Sequence, residues 1–220
     1  MLETNILDQV RSVFQYLEAR YIFHITYDPK HEQAHELIGF LNDVASCSEK
    51  LSCQLTETDK PGPEFALLKE GMETGIKFRG IPGGHEFTSL LLAVLNADGK
   101  GKNLPDEAIN RRIKALQGPV RLQTYVSLTC TNCPDVVQAL NIIALLNPQI
   151  THEMVDGALY QEEVDALKIQ GVPSVYANGK LLHVGRGSLG ELLQKLEEAF
   201  GSIPQTDEAP REREFDVLVL

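Results

Sequence analysis

Two sulfurs dominate what this sequence could do chemically: Cys130 and Cys133, three residues apart in Thr129-Cys130-Thr131-Asn132-Cys133-Pro134. Cysteines at that spacing at the start of a helix can close a disulfide while the helix stays intact. The first of them faces backbone N–H groups without intrahelical partners and the positive end of the helix dipole, both of which favour thiolate over thiol. The second lies inside the first turn, where burial is expected. Cys130 is therefore the sulfur that attacks, or is attacked by, a partner's disulfide, and Cys133 resolves the mixed disulfide. Thr131 and Asn132 are uncharged and offer hydrogen bonds at the surface a partner would meet. Structural zinc and an inert pair are the alternatives. Zinc requires two further ligands, and Cys47, Cys53 and the histidines show no second motif.

The elements that must position this pair follow from periodicity. Ile6, Leu7, Val10, Val13, Phe14 and Leu17 recur at helical steps, and Tyr21–Tyr27 is an aromatic and β-branched strand. A helix through Leu37, Ile38, Leu41 and Val44 leads to the alternating segment 51–55, expected as a half-buried strand. Beyond Pro61-Gly62-Pro63 come short strands at 64–68 and 75–78, then a helix at 86–96. The same order repeats. Pro105, Asp106 and Glu107 open a helix, and strand 120–127 runs into the cysteine motif and its helix. Strand 150–155, a short helix near 164–167, strands Ser174–Ala177 and Lys180–Val184 around an Asn178-Gly179 turn, and helix Leu189–Phe200 complete the copy. Lys30-His31-Glu32-Gln33 stand where the second copy has its cysteine motif, and Gly83 stands opposite Gly185. The expected fold is α/β, two tandem βαβαββα units with mixed central sheets, and each unit resembles a thioredoxin fold, which makes the pair tandem thioredoxin-like. The units span 1–100 and 101–201, with a polar linker at 202–214 and an apolar β-rich run at 215–220.

Thr129-Cys130-Thr131-Asn132-Cys133-Pro134-Asp135-Val136-Val137-Gln138-Ala139-Leu140-Asn141 and Gly84-His85-Glu86-Phe87-Thr88-Ser89-Leu90 resemble the N-terminal domain of the alkyl hydroperoxide reductase flavoprotein, in which the first thioredoxin unit has lost its cysteines. The resemblance implies a relay. A flavin domain of the same longer chain, using FAD and NADH, would reduce Cys130–Cys133, which would then reduce a peroxiredoxin, with the full-length protein a homodimer. On this view 215–220 begins the flavin-binding domain, and the fragment itself binds no cofactor. The likeness to thioredoxin folds also puts Val172-Pro173 in the cis-proline loop beside the disulfide, where the Val172 backbone pairs with an incoming peptide. Many thioredoxins bury an acid six residues before the first cysteine; here that position is Thr124. Glu86, in the crevice between the units, is the candidate substitute as acid and base for Cys133, the alternative being a solvated first-turn acid. His85 could line the same crevice or lie on the surface.

Composition narrows the field. With 31 acidic against 20 basic residues the formal charge is −11, which disfavours nucleic acid and anionic membranes as partners. No apolar run approaches the ~20 residues of a membrane span. The N-terminus lacks the basic start and apolar core of an export signal, so the cytoplasm is the expected compartment. A free-standing tandem-thioredoxin oxidoreductase and a non-catalytic redox sensor are the competing functions.

Overall fold

The computed structural model describes residues 2–59, 62–102 and 104–203; most of the expected linker and the run at 215–220 lie outside them. Eight strands form one sheet in the order β2-β1-β3-β4-β6-β5-β7-β8. The first half comprises α1 (Thr4–Phe14), β1 (Tyr21–Tyr27), α2 (Ala34–Ala45), β2 (Leu51–Glu57), β3 (Glu64–Lys69), β4 (Met72–Arg79), a single 3-10 turn at Gly84–Glu86 and α3 (Phe87–Ala97). The second comprises α4 (Glu107–Ala115), β5 (Val120–Val126), α5 (Cys133–Leu146), β6 (Ile150–Asp156), α6 (Gln161–Ala166), β7 (Ser174–Ala177), β8 (Lys180–Val184) and α7 (Leu189–Phe200). The expected element order is present throughout.

The halves align in sequence at a constant offset of 99 residues over their first three shared elements: 21 with 120, 34 with 133 and 51 with 150. The backbone bond from His31 N–H to Asp28 O (3.0 Å) repeats as Cys130 N–H to Ser127 O (2.9 Å). His31 and Ala34 thus hold the places of Cys130 and Cys133, one residue later than the Lys30–Gln33 alignment expected. Gly80, whose N–H donates to Pro63 O as that of Gly185 does to Pro173 O, takes the role expected of Gly83.

The sheet is continuous because β4 pairs in parallel with β6, Ile76 opposite His152. On one face α3 and α5 cover this seam, and Gln138 donates to Ser89 Oγ. On the other, Arg79 of β4 lies 4.1 Å over the Tyr160 ring and pairs with Glu163, which also accepts from Tyr125. Tyr160 reaches Pro63 O, and the positive-φ Gly62 packs so closely on this ring that a β-carbon would meet its hydroxyl at 2.4 Å.

Local signals explain the helix ends. Asp106 caps α4 by accepting from Ile109 N–H, and Ser188 with Glu191 forms a reciprocal capping box on α7. Asn178 and Gly179 both adopt positive φ in the hairpin turn. Two expectations need correction. Val13 is exposed, lining a surface groove between α1 and α3 with Tyr16 and Leu92. Strand β2 is mostly exposed beyond Leu51, because an edge strand with only β1 beside it is covered over part of its length.

Candidate active site at the second unit

Strand β5 ends at Val126, and the chain turns through 127–132 before α5 begins at Cys133, with Pro134 in its first turn. No side chain caps this helix, so its leading N–H groups face the cysteine loop. Cys130 lies ahead of the helix and is half-buried, whereas Cys133 is fully buried against Val126 and Val137. The two are joined as a disulfide with Cα atoms 5.5 Å apart. Thr131 is exposed and Asn132 half-exposed beside them.

The Val172-Pro173 bond is cis. Pro173 is buried, Val172 is exposed, and the Val172 carbonyl oxygen lies 3.9 Å from Cys130 Sγ. Gly185 fastens this loop from the other side by donating to Pro173 O. The turn at Gly185-Arg186-Gly187 is filled by His183, whose Nε2 lies 3.0 and 2.8 Å from the carbonyls of Gly185 and Arg186.

Glu86 enters from the first unit. Gly84, at φ +54, presses so closely on the loop before Cys130 that a β-carbon would lie 2.6 Å from Leu128 O, and His85 N–H donates to that same oxygen. The bond anchors the 3-10 turn against the cysteine loop and turns Glu86 inward, where it is 0 % exposed; His85 points to the surface. Neither Glu86 carboxylate oxygen has a hydrogen-bond partner among the described residues. Burial pushes its pKa up to about 7, with the nearby Ser89 hydroxyl pulling weakly the other way. This is not the environment of a solvated helix acid.

Thr124 is buried on the α5 side of β5, as its position six residues before Cys130 requires. Its hydroxyl is 2.8 Å from His152 Nε2, and His152 Nδ1 is 2.7 Å from Asn141 Oδ1 of α5. Burial drives the His152 pKa down to about 3. Sequence reasoning missed His152 and Asn141, having set the histidine aside for want of ligand spacing. The available signal was register: in parallel β5 and β6, two residues on the same face near Thr124 must share its buried layer. Cys47 is buried and Cys53 half-buried, and desolvation raises both thiols, Cys53 to about 11, as inert core sulfurs require. No group of three metal-binding side chains occurs among the described residues.

Comparison with known proteins agrees with this geometry. A thioredoxin-domain family model matches residues 120–198, the half that carries the cysteines. The AhpF component of alkyl hydroperoxide reductase in Pseudomonas aeruginosa is 38 % identical over the whole chain, and a Bacillus subtilis protein named NADH dehydrogenase is 38 % identical over the same extent. The chain spans only 42 % of the length of either relative. The crystal structure of the NTD_N/C domain of AhpF from Enterococcus faecalis aligns over 89 % of this chain and all of that one, with 32 % identity and a TM-score of 0.82. A protein disulfide oxidoreductase from Aeropyrum pernix, 19 % identical over 91 % of this chain and 94 % of its own, shares the fold with a TM-score of 0.81. The chain therefore belongs to the AhpF family of alkyl hydroperoxide reductases and corresponds to its N-terminal, tandem-thioredoxin domain.

Proposed function

We propose that this chain is the thiol–disulfide relay of a peroxide-reducing system. It takes two electrons from a dithiol of a flavin- and NADH-dependent domain in a longer version of the same protein and passes them to the disulfide of a peroxiredoxin. The observation that carries the reading is the asymmetry of the pair: Cys130 lies ahead of an uncapped helix beside an exposed backbone carbonyl, and Cys133 is sealed behind it. In the forward step the Cys130 thiolate attacks one sulfur of the acceptor disulfide, that bond breaks, and the departing sulfur takes a proton. Cys133 then gives up its proton and attacks Cys130 Sγ, closing Cys130–Cys133 and releasing the second acceptor thiol. Glu86, held near neutrality by burial, receives the Cys133 proton and returns it in the reverse half-cycle. Val172 and Pro173, with Thr131 and Asn132, form the surface that holds the partner's strand. The longer protein would act as a homodimer in the cytoplasm. Among the described residues no helix is long and apolar enough to cross a membrane.

Supplying the chain to a reconstituted mixture of NADH, a flavin reductase with its dithiol, a peroxiredoxin and peroxide tests this. NADH consumption should rise and saturate with chain concentration and vanish in Cys130→Ser. Reduction of insulin without peroxiredoxin turnover would instead identify a free-standing disulfide oxidoreductase.

A further inference from the structure

Beneath the middle of α5, Thr124 of β5, His152 of β6 and Asn141 of α5 meet with no solvent exposure above 1 %. With the amide oxygen of Asn141 turned towards the ring, the direction of the bonds follows. Asn141 Oδ1 can only accept, so His152 carries its proton on Nδ1, and its Nε2 accepts from the Thr124 hydroxyl. Three elements are thus joined through one neutral ring. The surroundings offer it no charge. Leu122 and Met154 flank it on the same face, Ile76 of β4 lies opposite it, and Arg121, Glu153 and Lys77 project to the other face of the sheet.

The first unit supplies an internal control. At the offset of 99 residues, Ile25, Cys53 and Asn42 occupy the places of Thr124, His152 and Asn141, and the register of β1 on β2 is that of β5 on β6. Ile25 is fully buried and Cys53 is raised by desolvation alone, so no polar triad forms there. The network occurs in the half that has the dithiol. It is also imperfectly satisfied, since Asn141 Nδ2 has no partner among the described residues, and an apolar layer would avoid that penalty. Stability alone is therefore a poor reason for it.

We infer that His152 is a positioning residue for the redox pair: with Thr124 and Asn141 it latches α5 to the sheet at one height and so fixes where Cys133 stands behind Cys130. A helix packed only by apolar side chains can slide or rotate slightly at little cost, whereas a buried polar bond permits one register. The inference rests on the relay reading, because it concerns the same dithiol.

The test separates position from stability. A triple variant, Thr124→Val with Asn141→Leu and His152→Leu, removes every polar group of the latch, and His152→Gln keeps one donor and one acceptor. Three quantities are read for each: the urea midpoint, the ratio of alkylation rates at Cys130 and Cys133 in the reduced chain, and the equilibrium constant with glutathione. The triple variant should keep or exceed the wild-type midpoint, while its alkylation ratio falls at least about threefold and its glutathione equilibrium moves by a similar factor. His152→Gln should hold both redox values within about a factor of two, the reproducibility such rate ratios allow. A stable triple variant with wild-type ratio and equilibrium overturns the latch. Peroxiredoxin turnover of the unmodified chain, measured alongside, tests the relay separately, so a wild-type chain without turnover counts against the relay and leaves the alkylation comparison to decide the latch. Should the triple variant not fold, Asn141→Leu alone, which frees α5 from the His152 ring and leaves Thr124 and His152 paired, decides: its alkylation ratio should fall at least about threefold, and a wild-type ratio overturns the latch.

Discussion

The two halves of this molecule share a backbone plan and differ at its tip. In the first, the loop after β1 places His31 ahead of the helix and Ala34 at its first turn, and His31 Nδ1 accepts from the N–H of Gln33 at 3.2 Å. In the second, Cys130 and Cys133 take those places, and neither helix has a side-chain cap. Both tips thus present N–H groups and a positive dipole end, and only the second sets sulfur atoms there, whose anion such a tip favours. The proline loops differ likewise. Gly62 and Pro63 are packed under Tyr160 of the other half, and Val172 is exposed beside Cys130. The halves thus differ in which side chain stands at the helix tip and in whether the proline loop is covered or open.

The largest effects should come from the open tip. Cys130→Ser should lower disulfide exchange at least about a thousandfold, as expected when the attacking nucleophile of a covalent step is removed. Cys133→Ser should accumulate a mixed disulfide at Cys130. Trapping of the partner at Cys47 or Cys53 would break the assignment of chemistry to one half.

Glu86 belongs to the first half by sequence and sits in the turn packed on the cysteine loop of the second, so its variant tests how separate the halves are. Its folded-state pKa, about 7, lies above the ordinary 4.5, so the folded chain binds the extra proton between those values. That destabilising contribution is absent below pH 4.5, grows as pH rises towards 7 and is constant above. Relative to Glu86→Gln, the wild type should therefore lose about 3 kcal/mol across that window, read from urea midpoints at each pH. The exchange rate should lose its inflection near pH 7 in the same variant. An unaltered pH–rate profile would leave Glu86 a buried acid without a role in proton transfer.

A smaller effect is expected at the seam. Arg79→Met removes the cation over Tyr160 and the partner of Glu163. Because the Glu163 side chain is 38 % exposed and water compensates part of the loss, the cost should be about 1–2 kcal/mol in urea unfolding, with exchange kinetics unchanged. A fall in exchange rate as large as that in unfolding free energy would mean that the seam, and with it the covered first loop, participates in the reaction.

The repeat and nearly every element were legible because each half obeys strong local rules: β-branched strands, the Asn178-Gly179 turn, and Pro105, Asp106 and Glu107 at a helix start. The dithiol was legible from spacing alone, and the places of Glu86 and Pro173 from family likeness. Two things were hidden. The one-residue slip between Lys30 and His31 could not be seen, because without cysteines the first loop carries no landmark and only the backbone bond to Asp28 sets its phase. The Thr124–His152–Asn141 layer was hidden because 17 residues separate Thr124 from Asn141 and 11 separate Asn141 from His152. Only the parallel register of β5 and β6, with the helix above them, brings the three together. Burial at an edge was similarly invisible: Leu51 to Leu55 alternate as a covered strand would, yet β2 has a neighbour on one side only.

Of the four sulfurs, that of Cys130 stands at a helix tip beside an exposed loop, while Cys133 and Cys47 are buried and Cys53 is raised by desolvation. Brief iodoacetamide treatment of the fully reduced chain at neutral pH, followed by mass spectrometry of each cysteine peptide against time, measures the contrast directly. Cys130 should be modified at least about tenfold faster than Cys133, Cys47 or Cys53, as a sulfur at a helix tip is against buried or desolvated thiols. Modification of Cys133 as quickly as Cys130, or of Cys53 before either, would contradict the account.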